Sequence, residues 1–519
     1  MSQADPTSRL IARYRQRIEA ARVYDVAVRS PLSDAPRLSA RIGNQLLLKR
    51  EDLQPVHSFK LRGAFNRIVH IPEAERARGV VCASAGNHAQ GVALAARTLG
   101  CPSWIVMPRT TPQIKIDAVR GFGGRVVLHG DAYDDASAHA AKIVEERGAT
   151  YIPPYDDPLV IAGQGTIARE IVEQLEAANE APLDAVFVCV GGGGLLAGVA
   201  AYIKAVSPGT RVIGVEPEDS DCMGRALAAG RRVKLPQVGL FADGVAVRQA
   251  GRETFRVARA TVDAMMTVSI DEICAAVRDV FYENRSVPEP AGALAVAGAK
   301  RWALEHGARD QRLCAIVSGA NVNFDRLRHI AERAELGDHT EALLAVTIPE
   351  RPGAFRAFCR DLGRHGITEF NYRYADSQSA HIFVGVRVTG GLEEAADLVE
   401  QLRGKDYAVV DLSGDEMAKV HIRYMVGGRA PGLSDERLFR VEFPERPGAL
   451  LTFLNKLGTR WNVSLFHYRN HGSAHGRVLL GLQVPRGQVR AVRARLDATG
   501  YPWWEESGNA AYGLFLGTD

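Results

Sequence analysis

The chain has 519 residues, 64 Lys and Arg against 60 Asp and Glu, and a formal net charge of +4. That length exceeds a single core and implies roughly three to four domains. Interspersed charge of both signs leaves no basic stripe for nucleic acid, and no apolar run approaches the ~20 residues of a membrane helix.

The N-terminus has no apolar signal-peptide core. Residues 9–22 are basic and helical in pattern but include Glu19, so they read as part of the folded protein. The seven cysteines are odd in number and form no C-x-x-C pair. Several sit in apolar runs, which implies buried reduced thiols and a cytoplasmic setting. None has zinc-ligand spacing, so no zinc site is expected.

The first stretch with chemical promise is His57-Ser58-Phe59-Lys60-Leu61-Arg62-Gly63-Ala64. Leu46, Leu47, Leu48 and Leu53 lead up to it, and Leu61, Ala64, Phe65 and Ile68 follow at helical spacing. Lys60 is thus expected where a loop ends and a helix begins. The free N–H groups and partial positive charge of a helix start disfavour an ammonium ion. A neutral lysine amine is a nucleophile that forms Schiff bases with carbonyls. Most lysines are surface residues, so Lys60 alone decides nothing.

From about residue 45 to 335, short apolar runs alternate with helical patterns. Apolar runs at 80–83, 104–107, 126–128, 185–190, 212–215 and 313–317 read as buried strands, with helices after most of them. This alternation predicts an α/β unit with parallel strands covered on both faces. Ligands of such sheets bind in loops at the carboxyl ends of strands.

Three of those loops carry chemistry. Gly191, Gly192, Gly193 and Gly194, followed by Leu195, lie between a buried strand and an apolar helix. Glycine backbone and a helix N-terminus together suit an anion such as phosphate, and a flexible linker would not be placed there. No Lys-Ser/Thr follows, so this is not a nucleotide P-loop. The loop Ser84, Ala85, Gly86, Asn87 and His88 opens a helix after the 80–83 strand. Ser84 or Asn87 can cap that helix, or the loop can receive a carboxylate while Asn87 bonds a flat polar ligand. His88 reads as a base or as a turn residue. Ser318-Gly319-Ala320-Asn321 follows the 313–317 strand, and Ser318 either caps the next helix or bonds a ring nitrogen.

Near residue 340 the pattern changes. Pro349-Glu350-Arg351-Pro352-Gly353-Ala354 recurs as Pro444-Glu445-Arg446-Pro447-Gly448-Ala449, 95 residues later. Leu362-Gly363 matches Leu457-Gly458, and Tyr372-Arg373 matches Tyr468-Arg469. Six identical consecutive residues with matched flanks mark an internal repeat. Each copy reads strand, Pro-Gly turn, helix, two strands, helix and a short strand, the ferredoxin-like α+β plan.

A lysine at a helix start, a glycine phosphate cradle and polar strand-end loops suggest a phosphorylated aldehyde held as a Schiff base. Pyridoxal 5'-phosphate fits that description. A lysine-dependent aldolase would need a closed barrel of eight regular units and leaves the repeats without a role.

Ser58-Phe59-Lys60-x-Arg62-Gly63-Ala64, the Ser84 to Gly91 run, the Gly191 to Leu195 run and the Ser318 to Asn321 loop, in that order, resemble the tryptophan-synthase-β-like (fold type II) pyridoxal phosphate enzymes. The Val238 to Val247 run and two ACT-like repeats narrow the resemblance to the biosynthetic threonine deaminase (threonine ammonia-lyase) family. It implies a two-subdomain catalytic unit over 1–330, with the smaller subdomain at about 55–160. A linker helix at 331–341 and ACT-like domains at 342–413 and 436–517 follow.

The resemblance also implies roles. Lys60 would hold the cofactor and move the α-proton, and Phe59 would pack against the cofactor. Asn87 would bond the 3′-oxygen, Gly191 to Leu195 the phosphate, and Ser318 the pyridine nitrogen. Ser84, Ala85, Gly86, Asn87 and His88 would receive the substrate carboxylate, and Glu289 would lie near the ring. The implied reaction converts L-threonine, and by extension L-serine, to a 2-oxo acid and ammonia, as the first committed step of isoleucine biosynthesis. Isoleucine would inhibit and valine oppose it, through turns at Pro352, Gly353, Pro447 and Gly448, in a homotetramer. Metal-dependent relatives place a carboxylate where Cys222 stands, downstream of Glu216, so no divalent cation is expected there. A serine dehydratase or racemase on the same scaffold and a non-catalytic amino-acid sensor are the alternatives.

Overall fold

The computed structural model of the chain describes residues 5–516 apart from 364, 376, 431, 445–447 and 470–474. The chain divides into two compact units, Met1–Gly337 and Asp338–Asp519.

The first unit holds two sheets. Six strands run in the order Leu32–Asp34, Gln45–Arg50, Arg312–Val317, Ala185–Cys189, Arg211–Pro217, Ala264–Val268. All neighbours are parallel except the first pair, which is antiparallel. The smaller parallel sheet has the order Arg125–Leu128, Ser103–Met107, Val80–Ala83, Thr150–Tyr151. Its central strands are apolar and buried along their whole length, as expected of strands packed on both faces. Helix Lys60–Val69 begins at Lys60 and buries Leu61, Ala64, Phe65 and Ile68 against helices Asn87–Thr98 and Pro158–Ala177. The smaller sheet falls wholly between strands of the larger one in chain order. The two sheets therefore deliver the loops after Ala83, Cys189 and Val317 to one cavity.

Helix Arg326–Gly337 differs from the linker helix expected at 331–341. It packs along helix Ile270–Asn284 of the first unit, and Glu341 already belongs to a strand. Its amphipathic pattern announced a helix but not which unit would cover its apolar face.

The second unit is one antiparallel sheet of eight strands. Their order is Ala408–Asp411, Glu341–Pro349, Ser379–Arg387, Ile367–Arg373, Val463–Arg469, His475–Gln483, Glu436–Pro444, Trp503–Glu505. Each repeat supplies four strands, and the copies join where Ile367–Arg373 pairs with Val463–Arg469. Phe355, Phe370 and Phe466 meet at this seam, with ring centroids 4.6 to 5.6 Å apart. Helices Ala354–Asp361 and Ala449–Leu457 follow Gly353 and Gly448, which take left-handed backbone at φ 90° and 79°.

Candidate functional site

The cavity of the first unit has a volume of about 940 Å³. Phe59, Lys60, the Ser84 to His88 loop, Gly191 to Leu195, Glu289 and Ser318 all line it.

Lys60 Nζ has no ion pair or hydrogen bond among the described residues, and the half-buried residue lines the cavity. Its backbone N–H is satisfied by Ser58 Oγ at 3.2 Å, and no acid occupies the first turn of its helix. Burial pushes the ammonium below its ordinary range and outweighs the opposing charges of Cys189 and Glu289. Its Nζ stands 5.2 Å from the centroid of the Phe59 ring. An unpaired amine of lowered basicity, open to a cavity, is a nucleophile and a base.

The glycine loop follows strand Ala185–Cys189. Its carbonyls are engaged outward: Gly192 O accepts from Thr254 Oγ1 at 2.7 Å and from Gly251 N at 3.3 Å, and Gly193 O accepts from Ala197 N at 2.9 Å. The N–H groups of Gly192, Gly193, Gly194 and Leu195 find no acceptor among the described residues, although all four residues are buried. Gly193 has φ 92° and turns the chain into helix Gly194–Val206. A Cβ on Gly192 would overlap the Tyr155 ring, so only glycine fits there. Buried unpaired donors at a helix start form an anion cradle. Cradle and unpaired lysine in one cavity fit a phosphorylated aldehyde.

The helix Asn87–Thr98 has no side-chain cap, contrary to the capping reading of Ser84 and Asn87. Ser84 Oγ instead accepts from Gly86 N at 3.3 Å within the loop. Asn87 turns inward: its Nδ2 donates to Glu289 Oε1 at 2.5 Å, and its Oδ1 accepts from Asn321 Nδ2 at 2.7 Å. Burial, then the charge of Asp243, raises the Glu289 carboxyl to about 7. His88 is buried with Nε2 on the Ile152 carbonyl at 2.9 Å, and burial lowers its pKa to about 4. A neutral ring with Nε2–H committed to a carbonyl anchors the turn and has no proton to accept at that nitrogen.

Ser318 caps no helix, since the next one is Arg326–Gly337. Its hydroxyl donates to Ala291 O at 3.3 Å and lies near the Cys189 thiol, whose pKa burial raises to about 11. Glu216 accepts from Met223 N and Gly224 N, both at 2.8 Å, at the start of helix Cys222–Ala228. Among the described residues no group of three or more His, Cys, Asp or Glu is arranged to hold a metal ion.

Cys189, Asn321, Tyr155, Lys115 and Asp243 also line the cavity and were not singled out from sequence. Lys115 Nζ reaches Asp243 Oδ2 at 2.6 Å, from a helix beside the small sheet to the Val238 to Val247 run. Asn321 and Asp243 lie inside motifs already quoted. Tyr155 and Lys115 carry no local signal.

In the second unit a cavity of about 30 Å³ is lined by Gly448, Ala449 and Leu450 of one repeat and Leu362, Gly363 and His365 of the other. Pro352 and Gly353 do not line it, and Pro447 lies outside the described residues.

The family described as pyridoxal-phosphate dependent enzyme matches residues 23–319. The C-terminal regulatory domain of threonine dehydratase matches twice, at 332–422 and 427–516. Biosynthetic L-threonine dehydratase of Burkholderia multivorans is 56% identical over 506 residues, covering 97% of this chain and 99% of that protein. The Escherichia coli biosynthetic enzyme is 53% identical over 505 residues, covering 97% of each. Among solved structures, the processed form of threonine deaminase isoform 2 from Solanum lycopersicum is similar at TM-score 0.62 and 49% identity, over 63% of this chain and 89% of that one. Maize serine racemase is similar at TM-score 0.55 and 32% identity, over 62% and 94%.

Proposed function

Because the chain belongs to the biosynthetic threonine dehydratase family of pyridoxal-phosphate-dependent enzymes, we propose that it converts L-threonine to 2-oxobutanoate and ammonia at the Lys60 cavity. The observation that carries this is the unpaired Lys60 amine sharing one cavity with the unpaired N–H groups of the glycine loop.

When bound, pyridoxal phosphate supplies a conjugated aldehyde that takes up an amino group and spreads the negative charge left at Cα. The backbone N–H groups of residues 192–195 would hold its phosphate, and Lys60 Nζ would be its point of attachment. Asn87 Nδ2 has a second hydrogen for the 3′-oxygen, because its first is fixed on Glu289. Ser318 Oγ would turn from the Ala291 carbonyl to the ring nitrogen, which a neutral hydroxyl leaves unprotonated. Phe59 would pack against the ring.

The substrate carboxylate would dock on the N–H groups of the Ser84 to His88 loop at the start of its helix. Lys60 Nζ, released and neutral, would take the α-proton as general base. The β-hydroxyl then leaves as water, and the released enamine tautomerises and hydrolyses. The water expelled is regained in that hydrolysis, so the net loss is ammonia.

The paired regulatory domains make an amino-acid effector part of this reading. Isoleucine as inhibitor, valine as its opponent, Gly448 as part of the effector site and a homotetramer complete it. A cytoplasmic location belongs to the same reading. No helix among the described residues is long and apolar enough to cross a membrane.

Incubating the pyridoxal phosphate-loaded protein with L-threonine and measuring 2-oxobutanoate tests the activity. Absence of keto acid would leave racemisation of serine, or ligand sensing without catalysis, in its place.

A further inference from the structure

The cavity continues past the glycine loop to a ladder in which residues 232–236 pair with residues 248–250. Leu235 N donates to Arg248 O at 2.8 Å, and Lys234 bridges Gln249. Arg232, Lys234 and Arg248 project from this ladder and line the cavity. Carbonyls hold two of them in place: Arg232 Nη1 donates to Ala250 O at 3.1 Å, and Arg248 donates to Leu235 O and Pro236 O at 3.1 and 2.8 Å.

No carboxylate pairs with any of the three among the described residues. Asp156, the acid on the same wall, has its oxygens taken by the N–H groups of Arg252, Glu253 and Thr254. The route to the cradle is short. Ala250, which holds Arg232, is followed by Gly251, whose N–H donates to Gly192 O. Tyr155, whose ring abuts Gly192, feels the charge of Arg232. By contrast Asp243, the acid near Glu289, is matched by Lys115.

We propose that Arg232, Lys234 and Arg248 form a phosphate-capture site on the cavity wall, which takes the phosphomonoester of incoming pyridoxal phosphate and hands it to the glycine cradle. The inference rests on the cofactor reading above. An ordinary solvated face would pair such cations with neighbouring acids and would not line a cavity. Three cations that no carboxylate pairs with, set in a concave wall, focus field and raise the capture rate of an anion. A phosphomonoester brings about −1.5 to −2 charges at neutral pH. Free phosphate shares that chemistry, so the two sources have to be separated by experiment.

The test follows uptake of pyridoxal phosphate by the full-length apoenzyme, by stopped-flow absorbance of the lysine adduct. The wild-type association rate constant should fall about tenfold between low salt and physiological ionic strength, where the screening length shrinks to about 8 Å. Arg232→Gln/Lys234→Gln/Arg248→Gln should begin about tenfold slower, lose most of the salt dependence and still reach full final amplitude. Inorganic phosphate competes at the glycine cradle in both proteins, and should slow uptake by wild type more strongly than uptake by the variant. Pyridoxal, which lacks the phosphate, should enter both at the same rate. Equal rates and salt slopes for pyridoxal phosphate in the two proteins would overturn the capture site. No uptake by wild type would overturn the cofactor reading instead. Should the triple variant not reach full amplitude, the exposed Lys234→Gln alone decides. Slowed uptake with a weaker salt slope supports the site, and an unchanged rate rejects it.

Discussion

Asn87 Nδ2 donates to Glu289 Oε1 across 2.5 Å, tying the start of helix Asn87–Thr98 to the residue that precedes helix Pro290–Glu305. The bond fixes which end of the Asn87 amide points to Asn321 and which keeps a hydrogen for a ligand. It also places a carboxyl with a raised pKa at the heart of the cavity.

That carboxyl gives a pH prediction with a definite sign. Glu289 is raised from 4.5 to about 7 in the folded chain, so folding favours its protonated form. The stability it contributes is complete below about pH 4.5 and is lost as pH rises to about 7. Glu289→Gln keeps an acceptor for Asn87 and cannot ionise. Apoenzyme of this variant should match wild type in urea at low pH and exceed it above pH 7 by on the order of 2–3 kcal/mol. Parallel pH profiles of the two proteins would count against the raised carboxyl.

Lys60→Ala should remove two properties together. The absorbance of the lysine adduct should vanish, and 2-oxobutanoate formation should fall by at least about 10³-fold, the scale of a lost general base. Persistence of the adduct would place the attachment on another lysine.

Gly192→Ala should weaken cofactor binding. Its Cβ would overlap the Tyr155 ring, and the loop must shift to accept it. Equilibrium dialysis of pyridoxal phosphate should show a dissociation constant raised about tenfold or more, about 1.4 kcal/mol.

Arg62 tests how the Lys60 helix is anchored. Its guanidinium is fully buried against Glu51 at 2.8 Å and Glu170 at 2.6 Å, and Glu170 also takes Lys49 at 2.7 Å. Arg62→Met strands carboxylates in the interior and should cost about 3–5 kcal/mol in urea unfolding. Replacing Glu51 by Gln in the same chain should recover part of that loss.

A chain ended after Gly337 should still form 2-oxobutanoate and should ignore isoleucine. Sensitivity retained by that shorter chain would move the effector site into the first unit.

Much of this arrangement was legible in the chain. Lys60 at a helix start, the apolar strand before Gly191 and the repeated Pro-Gly turns are local signals, and local signals survive folding. Partner choice is a different matter. Ser84 and Ser318 have good capping chemistry, yet the Ser84 hydroxyl turns back to Gly86 N in its own loop, and a tertiary neighbour, the Ala291 carbonyl, takes that of Ser318. His88 reads from sequence as a base or as a turn residue, and its burial against the Ile152 carbonyl supports the turn. Lys115 and Tyr155 enter the cavity from segments without any motif, so only the folded chain brings them there. The helix near 330 was visible as a period, but a period does not say which core it belongs to.

The seam between the two repeats limits how this protein could be shortened over evolution. Strand Ile367–Arg373 is interior only because Val463–Arg469 lies beside it, whereas the outermost strands, Ala408–Asp411 and Trp503–Glu505, are the shortest of the eight. Deleting one copy would turn a seven-residue central strand, which carries Phe370, into a raw edge open to pairing with other chains. Removal of one module alone therefore exposes this edge, whereas removal of both leaves no such edge behind.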